Sequence, residues 1–222
     1  LVLLQSSSAL QVVVLARELI PDTKFNFFTV SRRASKSDIK LSTTRSRIMF
    51  SVIVSCGTYD GSVFASEYIH RTIDFSGPKL LKPLFVDPTA HTSPVTSVAT
   101  KDSVVLSGSS DEIIQVFSIH SKARLGALEM HVGTIRQLKF TMELHDSAYC
   151  HLFSASDDGC IGIWRCEVPS GKLVKCPHPS AWECIRQMRR HKGPVQSIAV
   201  HPSNRCLFSI SADKTFRVWN LL

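Results

Sequence analysis

The chain has 222 residues, a formal net charge of +8, a pI near 9.3 and 44% hydrophobic residues. That length suits one large or two small domains, the composition is that of a globular protein, and no apolar run is long enough to span a bilayer. The charge is uneven: residues 1–48 carry eight Lys/Arg against three Asp/Glu, residues 49–222 eighteen against fifteen. An excess of this kind suggests an anionic neighbourhood, such as RNA, without establishing one.

Residues 1–48 do not read like the rest. LVLL and ALQVVVLAREL are apolar, and SRRASKSDIKLSTTRSR is basic and Ser-rich. A secretory signal would place its basic residues first and end in a small-residue cleavage site, an order that is missing. The Ser/Arg-rich half is closer to a mitochondrial presequence, against which Asp22 and Asp38 count. We read the segment as an N-terminal extension outside the repeats, disordered or a gene-model artefact, with Met49 as the natural start.

From Met49 the pattern turns to strands. FSVIVSCGTYDGSVFASEYI reads as two strands around an Asp-Gly hairpin turn, and KLLKPLFV as a third, with Pro83 marking an edge position. VTSVAT, SVVLSGS, EIIQVFSI and ARLGALEM supply four more. TIRQLKF, CHLFSAS, CIGIWRC and WECIRQM supply another four, with Glu167–Ser180 as an exposed loop insertion. VQSIAV, CLFSI and TFRVWN close the chain with three. Seven cysteines form no CxxC pair, and Cys150, Cys160, Cys184 and Cys206 fall in or beside strands, so reduced, buried thiols are expected and a zinc site is not.

One grammar recurs through these strands. His91, Ser107, Asp111 and Phe117 form one set; His131, Ser154, Asp158 and Trp164 a second; His191, Ser209, Asp213 and Trp219 a third. Ser to Asp is four residues in every set and Asp to the aromatic six, while His to Ser is 16, 23 or 18. A rigid turn between two strands and an elastic loop would recur in this way. A period of about 40–45 residues carrying this pattern marks a four-stranded propeller blade.

From about Phe50 onward the chain resembles the WD40 repeat family, although the "GH" glycine is absent and the "WD" dipeptide reads Phe-Ser, Trp-Arg and Trp-Asn. The resemblance implies an all-β WD40 β-propeller, partial, with about 3.5 of an expected seven blades at about 49–87, 91–130, 131–188 and 191–222. The first blade would lack its first strand, which a C-terminal segment beyond Leu222 would supply. The resemblance also implies that each set is a chain of hydrogen bonds from indole N–H through Ser and His to Asp, with the first set shortened because Phe117 has no N–H.

A Ser, His and Asp trio invites a catalytic reading. Here it occurs three times, and no G-x-S-x-G elbow accompanies any of the serines, so no catalytic, cofactor-binding or metal-binding residue is expected.

Finer sequence, notably LGALEMHVGTIRQLKF and WECIRQMRRHKGPVQSIAVHPS, resembles the p21-activated kinase-interacting protein 1-like family. That resemblance implies a non-enzymatic scaffold: a nucleolar factor in large ribosomal subunit assembly, with pre-ribosomal proteins and a p21-activated kinase as partners and rRNA contact in prospect. A cytoplasmic WD-repeat signalling adaptor is the alternative. No membrane and no small-molecule substrate are expected. Arg186, Arg189, Arg190 and Lys192, with His191 among them, form a basic group on the loop leading into the last blade, a candidate partner-binding site.

Overall fold

The computed structural model describes residues 25–33, 49–71, 80–141, 149–167 and 179–221. They form four antiparallel sheets in which neighbours in sequence are neighbours in space. Sheet 1 holds β1 (Phe25–Arg33), β2 (Met49–Thr58), β3 (Val63–Arg71) and β4 (Leu80–Asp87). Sheet 2 holds β5 (Val95–Lys101), β6 (Val104–Ser109), β7 (Ile114–Ser118) and β8 (Ala123–Leu128). Sheet 3 holds β9 (Ile135–Phe140), β10 (Tyr149–Ser156), β11 (Ile161–Glu167) and β12 (Trp182–Met188); sheet 4 holds β13 (Val195–Val200), β14 (Cys206–Ser211) and β15 (Phe216–Asn220). No helix among the described residues is long and apolar enough to cross a membrane.

One expectation is corrected. Phe25–Arg33, assigned to the extension, is a strand paired antiparallel to β2, with Val30 opposite Val54 and Arg33 opposite Ser51. Sheet 1 therefore has four strands rather than three, and the position reserved for a distant C-terminal strand is taken by β1. The physical reason lies in FNFFTV, a run of aromatic and β-branched residues that fits a pleated surface, overshadowed in the sequence by its Ser/Arg-rich flank. The rest of the extension, and most of the insertion expected at Glu167–Ser180, lie outside the described residues; Pro179–Ala181 forms a short 3-10 turn ahead of β12. Pro83 lies in β4, the edge of sheet 1, opposite Ser66 beside a register shift.

Both faces of sheets 2 and 3 carry apolar side chains, because each of these sheets is covered on two sides. Ile53, Val63, Ala65 and Phe85 of sheet 1 meet Val105, Phe117 and Ile119 of sheet 2. Leu106, Ile114 and Val116 on the other face of sheet 2 meet Leu152 and Trp164 of sheet 3, with Ile135 and Leu138 of β9. Phe153, Ile161 and Ile163 continue the series against Leu207 and Trp219 of sheet 4, with Val195 and Ile198 of β13. Burying side chains of this size stabilises by roughly 1.5–3 kcal/mol each.

Polar bonds lock the spacing between sheets. The Leu138 N–H donates to Ser97 Oγ at 2.9 Å, and Gln137 Oε1 accepts from the Ile198 N–H at 2.6 Å and from Ser197 Oγ at 2.8 Å.

Sheet 4 shows the same inner grammar with a different outer face. Its residues Phe216 and Val218 occupy the places of the buried pairs Ile114/Val116 and Ile161/Ile163, yet are 62% and 58% exposed. Phe208 and Phe216 stack at 5.9 Å between ring centroids.

Candidate functional site

Each set of the repeated pattern assembles within its own sheet. In sheet 3, Trp164 Nε1–H donates to Ser154 Oγ at 2.9 Å, Ser154 Oγ lies 2.7 Å from His131 Nε2, and His131 Nδ1 lies 3.0 Å from Asp158 Oδ2. Sheet 4 repeats the geometry with Trp219 to Ser209 at 2.7 Å, Ser209 to His191 at 2.8 Å and His191 to Asp213 at 3.0 Å. In sheet 2, His91 is 2.7 Å from Ser107 and 2.9 Å from Asp111. Phe117 stands where the indole would be and stacks on Phe85 instead, 5.2 Å between centroids and 10° between planes.

The network assigns the tautomer. Ser Oγ accepts from the indole and gives its proton to Nε2, so Nδ1 carries the hydrogen that the carboxylate accepts. Each Asp then accepts two further bonds from backbone N–H groups. Asp158 accepts from the backbone N–H of Val132 at 3.1 Å and of Cys160 at 2.8 Å. Asp111 accepts from Thr92 and Ile113, and Asp213 from Lys192 and Thr215. Every carboxylate thus ties a loop to a turn, which is a structural task.

One recurring position escapes the sequence reading. Ser109, Ser156 and Ser211, two places after the set serines, donate to the carbonyls of Ser93, Gly133 and Gly193 at 3.0, 2.8 and 2.9 Å. Their hydroxyls also accept from the backbone N–H of Asp111, Asp158 and Asp213. The signal was present as the S-x-S triplets SGS, SAS and SIS. Sheet 1 carries a worn copy of the pattern: Cys56 and Asp60 keep the four-residue spacing, and Asp60 accepts from Thr58 Oγ1 and the Ser62 N–H.

Burial sets the protonation. It pushes His91 below its ordinary value, only partly opposed by Asp111. Burial alone would raise Asp158, but the bonds from His131 and from the N–H groups of Cys160 and Val132 outweigh it and hold the carboxyl at about 2. Both shifts have one sign: the unfolded chain binds more protons than the folded one. Stability is therefore expected to be full above pH ~6.5, to fall as His91 protonates below that, and to fall again from pH ~3.8 towards 2 as Asp158 does. Thermal melts across pH 2–8 check this, with His91→Gln reducing the upper step, to which His151, also lowered by burial, contributes.

A second expected result concerns the indole. Trp164→Phe converts the sheet 3 set into the three-membered form that sheet 2 already uses, and should cost about 2 kcal/mol in urea denaturation without unfolding the chain.

His131, Asp158 and Cys160 bring three potential metal-ligand atoms within 4.8 Å of one another. Both His131 ring nitrogens are already engaged, and burial pushes the Cys160 thiol up to about 11, so the cluster is held together by hydrogen bonds and needs no ion. Cys56 and Cys150 are likewise raised to about 12 and Cys166 to about 11 by burial. These are inert, packed thiols.

The basic group divides. Arg189, Arg190 and Lys192 are exposed on the loop before β13, whereas Arg186 is an exposed residue of β12 itself, opposite Ile163. His191, grouped with them in the sequence, is buried and committed to Asp213 and Ser209. The Arg189 guanidinium is steadied by Gln187, with Nε and Nη2 donating to Oε1 at 3.2 and 3.0 Å.

Four stacked antiparallel sheets, each with its own histidine-to-carboxylate tie where the pattern is intact, define a repeat protein. The WD domain, G-beta repeat model matches residues 82–118 and 182–220. Each match begins on the outer strand of one sheet and ends on the third strand of the next, so the sequence repeat and the sheet are offset by one strand. The chain carries WD40 repeats over those residues, and its all-β architecture is consistent with a partial β-propeller.

Among curated proteins it is 37% identical over 133 residues to "p21-activated protein kinase-interacting protein 1-like" of Gallus gallus, covering 60% of this chain and 31% of that protein. It is 36% identical over 166 residues to the protein of the same name in Danio rerio, covering 75% and 39%. It is 21% identical over 138 residues to "Ribosome biogenesis protein WDR12 homolog" of Trichoplax adhaerens, covering 62% and 29%. The chain therefore spans roughly a third of the length of the curated relatives it matches.

Proposed function

We propose that the chain is part of a non-enzymatic WD-repeat scaffold, a nucleolar factor in large ribosomal subunit assembly that also binds and restrains a p21-activated kinase. The observation that carries the non-catalytic half is the distribution of the trio: each histidine is bound to the Ser and Asp of its own sheet, and every carboxylate is consumed by backbone N–H groups. A nucleophile needs an open position beside it, and these serines are buried, Ser154 and Ser209 between an indole N–H and a histidine and Ser107 against its histidine. The ribosomal half is supported by the name of the Trichoplax relative, the kinase half by the names of the chicken and zebrafish relatives. Pre-ribosomal proteins, with contact to rRNA, are the partners this reading supplies.

The test is a sucrose gradient of lysate from cells carrying the tagged chain, paired with imaging. Co-sedimentation with large-subunit precursors and nucleolar signal are expected. Signal confined to the cytoplasm and to kinase-containing fractions would favour the signalling adaptor instead.

A further inference from the structure

The rim built by the loops before each sheet and the turns after each set serine differs sharply from sheet to sheet. Four positions are equivalent in the repeat: two before the histidine, one before it, one after it, and one after the set Asp. In sheet 2 they hold Thr89, Ala90, Thr92 and Glu112; in sheet 3, Glu129, Met130, Val132 and Gly159. In sheet 4 they hold Arg189, Arg190, Lys192 and Lys214, a cation at every one.

The structure ties the loop that carries the first three to the turn that carries Lys214. The Lys192 N–H donates to Asp213 Oδ2 at 2.9 Å, and the Ala212 N–H donates to the Pro194 carbonyl at 2.9 Å. All four residues are exposed. Three other arginines are paired with acids, Arg124 with Asp87 at 3.5 Å, Arg136 with Asp157 at 2.6 Å and Arg165 with Glu183 at 2.9 Å. Among the described residues no carboxylate forms an ion pair with any of the four, and the one acid between them, Asp213, is spent on His191 and backbone.

Resting on the scaffold reading above, we propose that Arg189, Arg190, Lys192 and Lys214 form a contact for the phosphate backbone of RNA. A protein partner needs an apolar or aromatic anchor at the centre of its contact. No apolar or aromatic side chain stands among the four: the exposed apolar residues of the rim, Tyr59 and Val132, lie in the β2–β3 turn and the loop before β9, and Phe216 and Val218 lie on the open face of sheet 4. Phosphate contact needs only accessible Lys and Arg, and reads backbone rather than sequence. No aromatic ring stands among the four to stack a base, so the site is indifferent to sequence.

The test is fluorescence anisotropy of the purified chain with a labelled 20-nucleotide single-stranded RNA of mixed sequence, titrated from 50 to 200 mM salt. Four phosphate contacts on a single strand give a slope of log affinity against log salt of about −3, a loss of roughly 50-fold across that range. Reversing all four to Glu should abolish measurable binding, and Arg190→Gln with Lys214→Gln should weaken it at least threefold and flatten the slope, with thermal melting unchanged in both. Lys82→Glu, Lys122→Glu, Lys139→Glu and Arg205→Glu together apply the same charge change elsewhere on the surface. Equal loss in that control, or tighter binding of polyglutamate than of RNA, would overturn the assignment. Binding that follows the four rim residues while the chain stays out of precursor particles would leave the RNA contact standing and sink the ribosomal role.

Discussion

Asp158→Ala is expected to lower the stability of the folded chain by about 3 kcal/mol, read as a shift in urea midpoint at unchanged slope. The carboxylate accepts three bonds, from His131 Nδ1 and from the N–H groups of Val132 and Cys160. The His131 side chain is 1% exposed, so its Nδ1–H cannot turn to bulk water when its acceptor is removed. A buried donor left without a partner costs roughly 1–3 kcal/mol, and the loss of a charged acceptor adds to that. Val132 is exposed, so its N–H recovers part of its share, whereas Cys160 is fully buried. Asp158→Asn should lose less, because an amide oxygen still accepts from Nδ1–H.

Gly108→Val is expected to cost about 3 kcal/mol for a different reason. A Cβ at Gly108 would lie 2.4 Å from Ile135 Cγ2 and 2.9 Å from Ile135 Cβ, and Ile135 is fully buried on the first strand of the next sheet. The neighbour is a branched side chain held on both sides, so the sheets must part, and overpacking of this kind costs typically 1–3 kcal/mol. Equivalent positions show the rule: Gly57 and Gly108 lie under β5 and β9, Ala155 under β13, and Ile210 on the exposed face of sheet 4. Residue size at this place tracks what lies across the gap. Ile135→Ala should recover part of the loss when combined with Gly108→Val, a non-additivity that thermal denaturation of the four proteins would read.

The sheets from β2 onward were legible because their strands carry period-two apolar patterns broken by turn residues, and because the fixed spacing of Ser154, Asp158 and Trp164 recurs around Ser209 and Asp213. Rigid spacing reports a turn between two paired strands, whatever the loop before it does. What stayed hidden has physical causes as well. The β1 strand lacks any set residue to flag it and is flanked by Ser/Arg-rich sequence. Ser109, Ser156 and Ser211 are small residues whose role appears only when the loop they bind is in place. Charge alone put Arg186 and His191 into the basic group, and only burial and strand register separate them from Arg189, Arg190 and Lys192. Lys214 is far along the chain from that group and joins it through the Asp213 tie.

Double-mutant cycles read by urea denaturation bear most directly on the claim that each set braces its own sheet. Pairing His131→Ala with Asp158→Ala should give a coupling of at least about 1 kcal/mol, since the two side chains share a bond in a buried network. Pairing His131→Ala with Asp213→Ala should give additivity within about 0.5 kcal/mol, because those residues belong to separate ties in separate sheets. Strong coupling across the sheets, or none within one, would contradict the account.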